Sequence, residues 1–216
     1  MDQIKNVVFD LDGTLMSSNS TIYKCTLRTF KEFNIIAEMP EEEFNNKIGH
    51  HFGDIFREFN IDVPDLEGFI DKYKSLYFDF IDDSYVFPNV TDMLKALKER
   101  MIPVSLLTTK AQDQAEKILG HFKLDQYFNM IVGRRPGVAI KPAPDALLKI
   151  CNEIGVPADY TLMVGDSELD IKCGKNAGAL TCAVTFGYRT EEDLRKQNPD
   201  FVISDMMELV NIVSNH

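Results

Sequence analysis

The sequence is short of positive charge: 23 lysines and arginines stand against 34 aspartates and glutamates, a formal net charge of −11. Non-specific nucleic-acid binding is driven by cations that release counterions from phosphate, so this deficit argues against DNA or RNA as a partner. Cysteine is sparse as well. Cys25, Cys151, Cys173 and Cys182 lie far apart with no CxxC pair, and a chain of this length has no need of disulfide staples, so four reduced core residues are expected. Long apolar runs are missing: no stretch approaches the ~20 residues of a membrane span. The opening MDQIKNVVFDLDG reaches acidic residues before any run long enough for a signal peptide, so no membrane partner and a cytoplasmic location are expected. Repeats, low-complexity tracts and flexible tails are absent too.

What the sequence has is apolar content, 44% hydrophobic and 10% aromatic over 216 residues. That suits one domain, or one domain with an insertion. Short β-rich runs recur at 6–10, 103–109, 130–133, 160–166, 181–186 and 200–204. Their nearly unbroken apolar character predicts strands covered on both faces. Helical stripes separate most of them, as in Val90, Met93, Leu94 and Leu97, or Leu147, Ile150, Cys151 and Ile154 with Gly155 as a stop. The alternation predicts an α/β fold, a Rossmann-like, doubly wound parallel sheet.

Between about 16 and 87 the alternation fails. No convincing strand appears, and three stripes take over: Ile22, Cys25, Thr29, Phe30 and Phe33; Phe52, Ile55, Phe56 and Phe59; Leu66, Phe69, Ile70, Tyr73 and Tyr77. An inserted α-helical cap domain over residues 16–87 is expected, with the core formed by 1–15 and 88–216. Loops beyond the carboxyl ends of such strands border the ligand crevice, so the insertion would cover a site. Its many phenylalanines stand at helical spacing and predict a bundle core rather than an aromatic pocket.

Charged residues gather where strands run out. FDLDGTL at 9–15 places Asp10 and Asp12 together before Gly13. Two such carboxylates repel unless a cation compensates or one keeps its proton and serves as an acid, although Asp-Gly is also an ordinary turn pair. SLLTTK at 105–110 brings the Thr108 hydroxyl and the Thr109 backbone N–H to the same edge, neutral donors suited to a phosphoryl oxygen. KPAPDALL at 141–148 fixes Lys141 before a helix that Pro142 and Pro144 help to start, a place that favours anions. VGDSELDI at 164–171 ends a strand in Asp166, with Asp170 four residues on, as in a metal site or its surroundings, or simply as helix-start acids.

Taken together, FDLDGTL, LLTT, KPAPDAL, VGDSELDI, KNAGA, FGY and PDFVISDMMEL stand in the order found in the haloacid dehalogenase superfamily of aspartyl-phosphate hydrolases. Over nearly its full length the chain resembles the phosphoglycolate phosphatase-like and β-phosphoglucomutase-like branch with a helical cap. The resemblance implies a Mg²⁺-dependent phosphatase acting on a small phosphorylated metabolite. Asp10 would be the nucleophile and Asp12 the general acid and later base. The Asp10 and Asp166 side chains and the Asp12 carbonyl would hold Mg²⁺, and Asp170 would orient them. Thr108, Thr109 and Lys141 would bind the phosphoryl group.

Ser17 stands where most relatives in this branch carry an acidic residue, and Thr109 where asparagine is usual. Arg134 and Arg135 in GRRPG are candidates for a second anionic group on the substrate. Lys47, His50 and His51 are candidates for specificity because this part of the cap faces the substrate in relatives. His50 and His51 are adjacent and share no helix face, so a metal site made of them is not expected. The DLD pair argues against a dehalogenase, and the presence of both a nucleophile and an acid argues against a mere binding module. A sugar phosphomutase or a pyrophosphatase uses the same aspartates, and the choice between monomer and homodimer stays open.

Overall fold

The computed structural model describes residues 4–215. A six-stranded parallel sheet runs through it, formed by β1 (Asn6–Phe9), β4 (Val104–Ala111), β5 (Met130–Arg134), β6 (Thr161–Gly165), β7 (Leu180–Val184) and β8 (Phe201–Ile203) in the order β5-β4-β1-β6-β7-β8. The first strand therefore lies between β4 and β6, with Val8 opposite Ser105 on one side and Met163 on the other. All six apolar runs read from the sequence are strands of this sheet.

Alternation along β1 explains why its neighbours must cover both faces. Val7 and Phe9 join the cluster containing Met93 and Leu97 of α5 (Val90–Glu99), Ile118 of α6 (Gln112–His121) and Leu209 of α10 (Met206–Asn215). Val8 points the other way, to Leu147 and Ile150 of α7 (Asp145–Ile154) and Cys173 of α8 (Glu168–Ala177). A short α9 (Glu191–Lys196) anchors Leu194 against Ile171 and Ala183. All four cysteines are buried and unpaired.

Between residues 19 and 83 the regular elements are helices: α1 (Asn19–Glu32), α2 (Glu41–Asn45), α3 (Phe52–Glu58), α4 (Leu66–Leu76) and a 3₁₀ turn over Tyr77–Asp83. The three predicted stripes lie on α1, α3 and α4 and meet one another. Phe30, Phe56 and Phe69 pack with ring centroids 5.1–5.2 Å apart, and Phe52 meets Tyr73 edge-on at 4.8 Å. The phenylalanines thus form a bundle core.

One element was invisible to periodicity. Met16–Ser17 (β2) pairs antiparallel with Tyr85–Val86 (β3), joining the two chain segments that enter and leave the helical insertion. Two residues per strand carry no detectable pattern. Ser17, buried in this ribbon, donates its hydroxyl to Asn19 Oδ1 at 3.1 Å.

Candidate active site

The carboxyl ends of β1, β4 and β6 converge, and there the chain turns away through residues that only a few side chains allow. Gly13, at φ +85°, sits against the Asp166 carboxylate so closely that a Cβ would overlap it, and a Cβ on Gly187 would do the same. The two glycines form a cradle around Asp166, whose oxygens accept hydrogen bonds from the Thr14 hydroxyl at 3.2 Å and the Tyr188 N–H at 2.8 Å.

Asp10, Asp166 and Asp170 are all buried, and each offers an oxygen within 4.8 Å of the others. Burial first, then the neighbouring carboxylates, raises the Asp166 carboxyl to about 8. Burial likewise raises Asp10 to about 7, against the opposing pull of Lys141. Lys141, itself buried, reaches Asp10 Oδ1 at 2.8 Å and Asp170 Oδ1 at 2.5 Å. Burial alone would favour its neutral form, but the two carboxylates hold it well above the usual lysine range.

The oxygens fit a hard divalent cation. Asp10 Oδ1 is buried, with the Lys141 ammonium 2.8 Å away as its one close partner. Asp170 is fully engaged, by Lys141 on one oxygen and by the Ser167 N–H and hydroxyl on the other at 3.1 and 2.6 Å. It closes the capping box of α8 while steadying Lys141. Asp166 has no cation against it and takes one neutral donor on each oxygen, so with Asp10 it offers the carboxylate oxygens best placed to face an ion, an all-oxygen donor set suited to Mg²⁺.

Asp12 belongs to a second group. Its Oδ2 is 3.2 Å from Lys110 Nζ, and its Oδ1 accepts the Ser18 hydroxyl. The Tyr188 hydroxyl in turn accepts from the Ser18 N–H at 2.8 Å. Lys110 lies over the Tyr77 ring, 4.6 Å from its centroid. A bulge explains how a strand lysine gets there: Leu107 pairs with Val132, but the next partners are Ala111 and Arg134, so Thr108–Lys110 leave the ladder and turn toward the site. Thr108 is buried at the start of this bulge, and its hydroxyl accepts the Lys110 N–H.

Beyond Asp12 opens a cavity between the helical insertion and the sheet, with Thr109, Lys110, Arg134 and His50 in its wall. His50 Nε2 lies 2.9 Å from Glu168 Oε1 at the α8 start. Arg189 donates to the other Glu168 oxygen at 3.0 Å and to the Ile48 carbonyl of the insertion at 3.2 Å, tying the two parts together. Despite its partial burial, Glu168 is held down to about 2 by His50 and Arg189.

The structure thus brings together Asp10, Asp12, Thr108, Lys141, Asp166 and Asp170, with Thr109, Arg134 and His50 at the adjoining cavity. It does not bring Lys47 or Arg135. Lys47 pairs with Glu58 at 2.5 Å on the insertion's surface, and Arg135 is exposed beyond the end of β5. Sequence reasoning passed over Lys110, Ser18, Glu168, Tyr188 and Arg189. The signals available were the lysine closing the apolar run VSLLTTK and the motifs VGDSELDI and FGY, which contain Glu168 and Tyr188.

Residues 7–184 match the model of the haloacid dehalogenase-like hydrolase family, and the chain belongs to it. It is an enzyme of that family's phosphatase kind. The chain is 32% identical to the pyrophosphatase PpaX of Halalkalibacterium halodurans, over 98% of this chain and 97% of the relative. It is 37% identical, over 97% of both chains, to a Clostridium perfringens protein whose name gives the same activity as provisional. The crystal structure of a predicted phosphoglycolate phosphatase from Haemophilus somnus superposes with a TM-score of 0.88 at 25% identity, covering 98% of this chain and 99% of that one.

Proposed function

We propose that the protein is a Mg²⁺-dependent phosphatase that transfers a phosphoryl group from a small metabolite to Asp10 and then to water. The meeting of Asp10, Asp12, Lys141 and Asp166 at one sheet edge carries this reading. Asp10 attacks phosphorus, a new P–O bond forms, and the bond to the leaving oxygen breaks as Asp12 gives that oxygen its proton. Water then attacks the aspartyl phosphate, Asp12 takes up the water's proton, and inorganic phosphate leaves with Asp10 restored.

Thr108 and the Thr109 N–H donate to the phosphoryl oxygens, and Lys141 sets a fixed cation beside them. Ser18 and Lys110 orient Asp12. Mg²⁺ bound by Asp10, Asp166 and the Asp12 carbonyl would supply positive charge to a reaction that is very slow unaided. Residues 16–87 act as the cap that excludes water from the site, hinged on the β2–β3 ribbon. Phosphoglycolate is one candidate substrate, and the relatives' names make inorganic pyrophosphate the other. No described helix is long and apolar enough to cross a membrane.

Phosphate release from a panel of phosphorylated metabolites, with Mg²⁺ and with chelator, tests the activity. Turnover that persists in chelator, or phosphoryl return to substrate in place of release, would overturn the reading.

Mg²⁺ binding also has a stability signature. The folded-state values of about 7 for Asp10 and about 8 for Asp166 lie above the ordinary 3.8. Each carboxyl holds its proton more tightly when folded. That contribution is whole below about pH 4 and is lost as pH rises through 7 to 8. A cation replaces the lost protons, so saturating Mg²⁺ is expected to raise Tm by about 5 °C at pH 8 and by under about 1 °C at pH 5. Thermal melts at the two pH values would refute this if the gains were equal.

A further inference from the structure

The cavity beyond Asp12 has a charge pattern opposite to that of the whole protein. Asp12 is the one carboxylate in its wall, whereas Lys74, Lys110 and Arg134 all line it. Lys110 is spent on Asp12 at 3.2 Å. Lys74 reaches Asp71 only at 3.9 Å, and that carboxylate is four-fifths exposed. The Arg134 guanidinium makes no ion pair or hydrogen bond among the described residues, in a chain with 34 acidic residues to choose from.

Arg134 is held there by the fold. It ends β5 opposite Ala111, one residue past Lys110, so the bulge that aims Lys110 at Asp12 sets the Arg134 guanidinium on the same cavity. His51 is nearby; burial first and then the Arg134 charge lower its pKa, which leaves it a neutral imidazole. The cavity has room for several waters, so a small anionic group fits.

Asp12 serves the leaving oxygen, so whatever lies beyond Asp12 is the leaving group. We propose that Arg134 is a specificity-determining residue that binds a second anionic group on the leaving portion of the substrate, with Lys74 in support. The shared chemistry is a compact oxyanion, whether the second phosphate of a diphosphate or the carboxylate of a two-carbon acid. This rests on the phosphatase reading above, with Asp12 as the acid.

The test compares wild type, Arg134→Ala, Arg134→Lys and Arg135→Ala on three substrates: inorganic pyrophosphate, phosphoglycolate and p-nitrophenyl phosphate, whose leaving group carries no ionised substituent. Arg134→Ala is expected to lower kcat/KM about 30-fold on whichever anionic-leaving substrate the wild type prefers, and under threefold on p-nitrophenyl phosphate. Arg134→Lys should fall between, because an ammonium keeps the charge and loses the fork. Arg135→Ala should stay within threefold throughout. The preferred substrate separates phosphate from carboxylate as the bound group. Equal losses on all three substrates, or no loss on the anionic pair, would overturn the proposal while leaving the phosphatase intact. A wild type that hydrolyses none of the three would sink both.

Discussion

Asp10→Asn is expected to lower kcat by at least about 10⁴-fold on every substrate while the protein stays folded. An amide is isosteric with the carboxylate but cannot form the acyl phosphate, and it offers one neutral oxygen where an ion needs charge. The variant keeps the pairing of Lys141 with Asp170 at 2.5 Å, so the lysine is not stranded. Nor is stability expected to suffer at pH 8. The substitution removes a buried acid whose own burial raises it to about 7, and with it part of the repulsion against Asp166 and Asp170. Single-turnover phosphate release, with a thermal melt beside it, would check both halves. Residual activity within a hundredfold of wild type would exclude Asp10 as nucleophile.

The sheet was legible because its strands are short apolar runs separated by helical stripes, and both patterns depend only on neighbours in sequence. Asp10, Asp166 and Lys141 were legible for a related reason: each lies where an apolar run ends or a helix is about to begin. Lys110 was harder. Its place beside Asp12 depends on a bulge, and a bulge is a property of the β4–β5 pairing rather than of the letters VSLLTTK. Glu168 with His50, and Ser18 with Tyr188, join positions 118 and 170 residues apart and exist only once the insertion has docked. Lys47 and Arg135 show the converse. Each neighbours a residue that does reach the cavity wall, Ile48 and Arg134 respectively, yet turns to the surface.

The same geometry explains how so acidic a chain can receive a phosphate ester. Net charge governs the field far from the surface, where salt screens it within ~10 Å. At the site, Lys141 and Lys110 offset the carboxylates they pair with, and Arg134 with a bound divalent cation would supply the excess positive charge at short range. Buried charges act through a lower effective dielectric, so a few placed cations outweigh many distant carboxylates.

Lys141→Met is the sharpest test of that balance. Removing one partner of a buried ion group costs about 3–5 kcal/mol, since the charges left behind remain desolvated. For a chain of this size that is a fall in Tm of roughly 10 °C. The cost should depend on pH in a definite direction. Without the cation, Asp10 has only burial and like charges around it, so its folded-state value rises further above that of the unfolded chain. The variant is then most stable while that proton stays on and weakens as pH climbs through 7 and 8, whereas wild type retains the charged lysine throughout this range. Melts at pH 5 and pH 8 should therefore differ more for Lys141→Met than for wild type. Turnover should fall about 10³-fold, because a fixed donor to the phosphoryl oxygens is lost. A variant with wild-type Tm at pH 8 would mean that the buried carboxylates are neutralised by something other than Lys141, and that the electrostatic account of this site is wrong.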